Sequence, residues 1–121
     1  MDTELKEGLR KAWQAKILQE RKKERERRRK ALERAASAAG LLKEKYGVRK
    51  VYLYGSLLWG RRFTPRSDID LMVLGFPKKV SFWQMLNDLE EITSPFEVNV
   101  VLEEDALPSL RKKVLEEGKE L

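Results

Sequence analysis

Two aspartates, Asp68 and Asp70, have the residue type and spacing that most directly suggest chemistry. They open the segment Asp68–Leu74, in which polar and apolar residues alternate, and this pattern predicts a strand. Residues two apart on a strand point to the same face, so the two carboxylates should lie close together. Such charges repel each other unless a cation lies between them, and Mg²⁺ prefers carboxylate oxygens, so the pair predicts a divalent-metal site.

Gly55 and Ser56 lie before the aspartates, where the predicted strand Lys50–Tyr54 ends. Glycine lets the backbone approach a phosphate closely, and a serine hydroxyl and the amides of a following helical turn can donate hydrogen bonds to it. The loop between the two motifs adds polar side chains suited to a triphosphate, namely Arg61, Arg62, Arg66 and Ser67. The motifs together predict a site for a nucleoside triphosphate and a metal ion.

The composition excludes several kinds of catalysis. The 121 residues include no histidine and no cysteine, which excludes serine–histidine–aspartate catalysis, cysteine nucleophiles and zinc bound by either residue. No apolar run approaches the roughly 20 residues that cross a bilayer, and the charged N-terminus does not resemble a signal peptide. We therefore expect no membrane association and a cytoplasmic location. Abundant Glu, Lys and Arg without cysteine resembles thermophile usage.

The remaining elements follow from periodicity and from capping and turn signals. We predict helices at 2–46, 57–60, 82–92 and 108–117, and strands at 50–54, 68–74 and 96–102. This order predicts an α+β fold, a two-layer α/β sandwich around a short mixed sheet of three strands or slightly more, preceded by a long N-terminal helix. Residues 1–40 are expected to form a helical extension and residues 41–121 the domain.

The long helix carries the net charge of the chain and an apolar stripe. Residues 21–34 contain nine basic and three acidic residues, which equals the chain's formal net charge of +6. The interleaved acids favour a solvated face, and nucleic-acid binding is less favoured because no aromatic residue interrupts the run. The stripe consists of Leu5, Leu9, Trp13 and Ile17. A helix of this length extends about 65 Å, so the part before roughly Lys30 should project, bend back or pack on a partner.

Residues 55–73, GSLLWGRRFTPRSDIDLMV, resemble the nucleotidyltransferase signature of the DNA polymerase β superfamily, in which Gly-Ser precedes an Asp-x-Asp strand. The chain is similar to minimal nucleotidyltransferases over about residues 41–121; these small prokaryotic proteins are usually paired with a helical HEPN protein. The resemblance implies a nucleotidyltransferase fold and transfer of a nucleoside monophosphate, with two Mg²⁺ held by three carboxylates. It assigns Asp68 and Asp70 as metal ligands and Gly55 and Ser56 as the phosphate-binding turn.

The chain departs from this pattern at the third carboxylate. The family pattern places an aspartate at the position of Asn99, on the predicted strand Phe96–Leu102. Asparagine offers a neutral oxygen but adds no negative charge. Glu97 lies two residues away on the same face of that strand, so it is a candidate substitute, with a solvent-facing role as the alternative. Glu97 and Asn99 therefore join the candidate catalytic residues.

Two functions are consistent with these features. The first is Mg²⁺-dependent transfer of a nucleotide, most simply AMP from ATP, to a protein or RNA hydroxyl by the antitoxin-like half of a HEPN pair. The alternative is a catalytically weak or inactive nucleotide-binding module that neutralises a HEPN partner by contact, which Asn99 and the apolar stripe favour. A homodimer is also consistent with the sequence, because a small sheet leaves an edge to cover.

Overall fold

The computed structural model describes residues 2–121. Its elements are α1 (Thr3–Glu44), β1 (Lys50–Tyr54), α2 (Ser56–Trp59), β2 (Ile69–Leu74), α3 (Phe82–Thr93), β3 (Val98–Leu102), a 3₁₀ turn (Glu103–Asp105), α4 (Pro108–Glu117) and β4 (Lys119–Glu120). The predicted α+β class and long N-terminal helix are confirmed. Within the described residues, no helix is both long and apolar enough to cross a membrane.

The strands form one mixed sheet in the order β3-β2-β1-β4. β2 pairs antiparallel with β1 and parallel with β3, and β4 pairs antiparallel with β1. The two-residue β4 extends the three predicted strands to four. This order puts β2, the strand of the aspartate motif, between two neighbours that can bring further side chains to it.

The two faces of the sheet are packed differently. Helices α1 and α3 cover one face, and their buried side chains form the main core with the residues of β1 and β2 that point toward them. On the opposite face, Val114 of α4 packs with Tyr54, Met72 and Leu74. Asp70 alternates with the core residues of β2 and therefore shares the α4 face, where it remains half-buried.

Helix α1 is one continuous element of 42 residues, and its C-terminal half belongs to the core. The side chain of Asp2 caps its start by accepting a hydrogen bond from the Glu4 amide at 2.9 Å. The residues buried on it are Ala31, Ala35, Ala38, Ala39 and Leu42. The boundary predicted at residue 40 therefore falls inside a helix that packs on the sheet. Residues 3–16 are all exposed, in agreement with a projecting segment.

Local turns shift several predicted ends, and two of these shifts concern candidate site residues. β2 begins at Ile69 because a turn closed by the Ser67 amide and the Thr64 carbonyl, 3.0 Å apart, precedes it. β3 begins at Val98 because the chain turns at residues 93–96. Asp68 and Glu97 therefore each lie just before a strand. The prediction that both lie on strands is wrong. Helix α1 likewise ends at Glu44 and not at residue 46.

Candidate functional site

Pairing between three strands places three side chains in one row. The antiparallel register sets Tyr54 opposite Asp70, and the parallel register sets Asp70 beside Asn99. Paired residues on neighbouring strands point to the same face of a sheet, so the Asn99 amide lies next to the Asp70 carboxylate. Asp68 reaches the same cluster from its position just before the strand. The aspartates are therefore close together, as their spacing predicts.

The amide of Asn99 joins the two carboxylates. Its Nδ2 atom donates to Oδ2 of Asp68 at 3.1 Å and to Oδ1 of Asp70 at 3.2 Å. Across residues 2–121, neither carboxylate has an ion-pair partner. The two negative charges are therefore bridged by one neutral donor, at the position where the family resemblance implies an acid.

The acid–base properties of the site reflect this incomplete compensation of charge. Burial raises the pKa of the Asp70 carboxyl above its ordinary value, the hydrogen bond from Asn99 lowers it, and the charge of Asp68 raises it again. Burial also raises the pKa of the Tyr54 hydroxyl, and the neighbouring charge of Asp70 adds to that effect. A half-buried carboxylate in this state favours a nearby cation.

Gly55 connects the phosphate-binding motif to the aspartates. Its φ of +78° and ψ of −155° lie in a region that is essentially restricted to glycine. A Cβ atom at this position would lie 2.1 Å from Oδ2 of Asp70, so the bare backbone and the carboxylate are in direct contact. The predicted phosphate turn and the predicted metal pair therefore form one site.

The two candidate serines have different environments. Ser56 begins α2, is half-buried, and its hydroxyl forms no hydrogen bond with residues 2–121, which leaves it able to donate to a ligand. The Ser67 hydroxyl accepts a hydrogen bond from the Thr64 amide at 2.9 Å and lies 3.1 Å from the Thr64 hydroxyl. Ser67 thus stabilises the turn that leads into Asp68, and the exposed Arg66 lies in the same turn.

The other two candidate arginines face helix α1. Arg61 and Arg62 line a cleft of about 830 Å³ whose opposite wall includes Trp13 and Ile17. Among the described residues, neither arginine forms an ion pair with an aspartate of the site. The structure therefore connects these two arginines with the projecting helix, and their contact with a triphosphate stays a prediction.

Three residues from the basic run fix the segment 57–63 to α1. The Glu24 carboxylate accepts a hydrogen bond from the Phe63 amide at 2.8 Å, and Arg27 donates to the Phe63 carbonyl at 3.0 Å. Arg28 donates to two carbonyls in the same segment, the closer at 2.7 Å. The prediction of a solvated face is wrong for these half-buried residues, because loop backbone groups use them as hydrogen-bond partners. Contact with the domain therefore begins at Glu24, before the predicted Lys30.

Glu97 is not part of the cluster. It is exposed, and its backbone carbonyl accepts a hydrogen bond from the Ile69 amide at 2.9 Å. Within the part of the chain that the structure describes, no three acidic side chains come together as a metal-binding group. The structure thus assembles two carboxylates and an amide, where the sequence analysis considered Glu97 as the third carboxylate.

The assembled donors fit one hard divalent cation. The carboxylates of Asp68 and Asp70 supply the oxygen ligands that Mg²⁺ prefers, and Mg²⁺ commonly completes its shell with phosphate oxygens and water. The raised pKa of Asp70 is the further observation in favour of a cation here, since a nearby positive charge would offset the cost of its burial. Asn99 has an amide oxygen, but its amide nitrogen is the atom that faces the pair.

Sequence reasoning missed two features of this site. The bridging role of Asn99 depends on the β2–β3 register, which the sequence does not specify, although its neutral side chain was a visible departure from the pattern. The roles of Glu24, Arg27 and Arg28 were hidden in a run of charges. Their positions continue the buried face of α1 toward its N-terminus, and that continuity is the signal that could have identified them.

The comparisons with known proteins agree with this geometry. The family model described as "Polymerase beta, Nucleotidyltransferase" matches residues 38–121. A solved structure described as "Structure of putative minimal nucleotidyltransferase" superposes with a TM-score of 0.58 at 28% sequence identity, covering 80% of this chain and 91% of that chain. No curated protein matches the chain.

The fold and site are those of a nucleotidyltransferase domain, a mixed sheet that sets an aspartate pair beside a Gly-Ser turn. The chain belongs to the polymerase β nucleotidyltransferase family, as the match over residues 38–121 shows. The similarity to this solved structure supports placement with the minimal nucleotidyltransferases of that superfamily.

Proposed function

We propose that this protein is a cytoplasmic, Mg²⁺-dependent nucleotidyltransferase that moves a nucleoside monophosphate, most simply AMP from ATP, to a hydroxyl of a protein or an RNA. In this reaction the acceptor oxygen forms a bond to the α-phosphorus and loses its proton to water. The bond from that phosphorus to the bridging oxygen breaks, and pyrophosphate leaves. Bound Mg²⁺ would supply activation of the hydroxyl and stabilisation of the leaving group.

The observation that carries this proposal is the contact between Gly55 and Asp70. A Cβ atom at position 55 would lie 2.1 Å from Oδ2 of Asp70, so only glycine fits there. The Gly-Ser turn and the aspartate motif therefore pack directly against each other. A triphosphate bound by the turn would therefore lie directly beside the aspartate pair. Phosphoryl-group transfer requires this adjacency, because the reacting groups must be held in line.

Each residue of the site has its own role in the proposed transfer. Gly55 lets the backbone approach the phosphates, and the unengaged hydroxyl of Ser56 donates a hydrogen bond to one of their oxygens. Asp68 and Asp70 would hold the cation. Asp68 and Asp70 are only half-buried and Asn99 is exposed, so an acceptor can approach the pair from solvent.

The proposal is tested by incubating the chain with each nucleoside triphosphate, radiolabelled at the α-phosphate, with and without Mg²⁺. Protein and RNA fractions serve as acceptors, and calorimetry records nucleotide binding. Asp68→Asn and Asp70→Asn are each expected to lower the transfer rate by at least about 100-fold, because each removes a cation ligand. The matched control Asp105→Asn changes an exposed aspartate in the 3₁₀ turn and should leave the rate unchanged. Metal-independent transfer, or wild-type transfer by Asp70→Asn, would contradict the proposal.

A second proposal concerns the exposed stripe of α1, which we assign to a helical partner of the HEPN type. Leu5, Leu9 and Trp13 are 56%, 62% and 63% exposed, and no other element covers them. Helices in water bury such stripes on another apolar surface. The cleft beside Trp13 is lined by five basic residues and two acidic ones, so charge complementarity favours an acidic partner over a second copy of this basic chain.

Gel filtration with light scattering of the chain, mixed with candidate HEPN proteins, tests this assignment. Leu9→Asp and Trp13→Asp should each weaken the complex by at least about tenfold, since a charge would then lie in the apolar contact. Leu107→Asp is the matched control, because Leu107 is 72% exposed and lies outside α1. The assignment would be overturned if the chain alone formed a homodimer and Trp13→Asp dissociated it. A complex without any transfer would favour the nucleotide-binding module that acts by contact.

A further inference from the structure

The most specific contact in the site is made by the residue that departs from the family pattern. One nitrogen, Nδ2 of Asn99, donates to both Asp68 and Asp70, at 3.1 and 3.2 Å. Each of its two hydrogens therefore serves one carboxylate. An amide that donates in this way points the positive end of its dipole at the two acids. It therefore interacts with their negative charges in the same sense as a cation would.

The position of this nitrogen is set by the backbone. Asn99 pairs with Asp70 in the parallel β2–β3 register, so its side chain leaves the sheet on the same face and at the same level as the carboxylate. In residues 2–121, no lysine or arginine forms an ion pair with either aspartate. Asn99 is consequently the side chain that offsets the repulsion between the two acids.

We propose that Asn99 acts as a built-in substitute for a cation, which stabilises the metal-free aspartate pair and which a divalent ion must displace before both carboxylates can bind it. The inference deepens the proposed function, in that the displaced contact lies in the proposed metal site. Asn99 is a positioning residue in this description, because it acts on the aspartates and not on the reacting atoms.

The substitution Asn99→Asp should destabilise the metal-free protein and strengthen the binding of a divalent ion. It would add a third negative charge and remove both donated hydrogen bonds, so the metal-free protein loses stability. The same change would add a charged ligand and remove the competing donor, so the affinity for a divalent ion rises. An alanine at position 99 removes the donor without adding charge, and it separates competition by the amide from direct coordination by its oxygen.

The test is thermal unfolding in EDTA together with calorimetric titration with Mn²⁺ alone, both on the full chain. Asn99→Asp is expected to lower the metal-free melting temperature by about 4 °C or more and to tighten Mn²⁺ binding by at least about tenfold. Asn99→Ala should also melt lower without metal while binding Mn²⁺ no more weakly than the wild type. The matched control, Asn87→Asp on the exposed side of α3, should change neither quantity.

Three results would overturn the inference: an unchanged metal-free melting temperature in Asn99→Asp, an unchanged Mn²⁺ affinity in that variant, or an Mn²⁺ affinity weakened by more than about threefold in Asn99→Ala. The last result would identify Asn99 as an ordinary ligand. These readouts need no nucleotide. An absence of transfer in the wild type would therefore refute the proposed function alone, and failure of these readouts in an active protein would refute this inference alone.

Discussion

Replacing Gly55 with alanine is expected to weaken both Mn²⁺ binding and nucleotide transfer by at least about 100-fold. The new Cβ would lie 2.1 Å from Oδ2 of Asp70, so the carboxylate has to leave its place beside Asn99. The backbone at φ +78° and ψ −155° would also be strained, which lowers the free energy of unfolding by about 1–3 kcal/mol. Calorimetry, the transfer assay and thermal unfolding measure the three effects separately.

Gly47 provides the matched control for this substitution. Its φ is +70°, and a Cβ atom at this position would have no heavy atom within 4 Å. Gly47→Ala should therefore cost stability through backbone strain and leave Mn²⁺ affinity and transfer unchanged. A Gly55→Ala protein that binds Mn²⁺ as the wild type does would show that the turn and the aspartates are independent.

A double variant separates the clash from the strain. Asp70→Ala removes the carboxyl atoms that lie within 3.0 Å of the added methyl group, so it should partly restore the stability of Gly55→Ala. It cannot restore cation binding, because a ligand is lost. If the two substitutions instead had additive effects on stability, the contact between Gly55 and Asp70 would not be the cause of the loss.

The parts of the site that could be predicted from sequence are those encoded within one strand or one turn. The alternation around Asp68 and Asp70 predicts the strand and the closeness of the two acids, although Asp68 lies just before that strand, and Gly-Ser marks the turn that precedes it. The register between strands is set by packing across the whole sheet, and the spacing along the chain does not contain it. The contact of Asn99 with both aspartates and the two-residue β4 were therefore beyond the sequence analysis.

The role of α1 was also predictable only in part. The sequence indicates a long helix whose first half projects, and the exposure of residues 3–16 agrees. Its core contact is made mainly by alanines, which are favoured in any helix for their high helix propensity and so give a weak apolar signal. The buried alanines allow α1 to approach the sheet and α3 closely, and this fit is a property of the folded molecule.

Shortening α1 from its N-terminus should produce two distinct outcomes, depending on where the chain begins. A chain of residues 24–121 is expected to fold with nearly the wild-type melting temperature, because the removed residues 3–16 are all exposed and none of residues 2–23 is buried. The contacts of Glu24, Arg27 and Arg28 with segment 57–63 are retained. The same chain should lose binding to a partner that uses the Leu5–Trp13 stripe. Thermal unfolding by circular dichroism measures the first effect and gel filtration the second.

A chain of residues 41–121 is expected not to fold cooperatively, although it contains every predicted site residue. It lacks Ala31, Ala35 and Ala38, all fully buried, and it uncovers the sheet and α3 side chains packed against them. We expect the free-energy cost of exposing this apolar surface to be comparable to the whole stability of a small domain, which is about 5–15 kcal/mol. Cooperative unfolding of residues 41–121 would show that the domain does begin at residue 41. Its absence would place the C-terminal half of α1 within the nucleotidyltransferase domain, and the segment from Glu24 to Arg28 would then connect the core and the loop with the projecting helix.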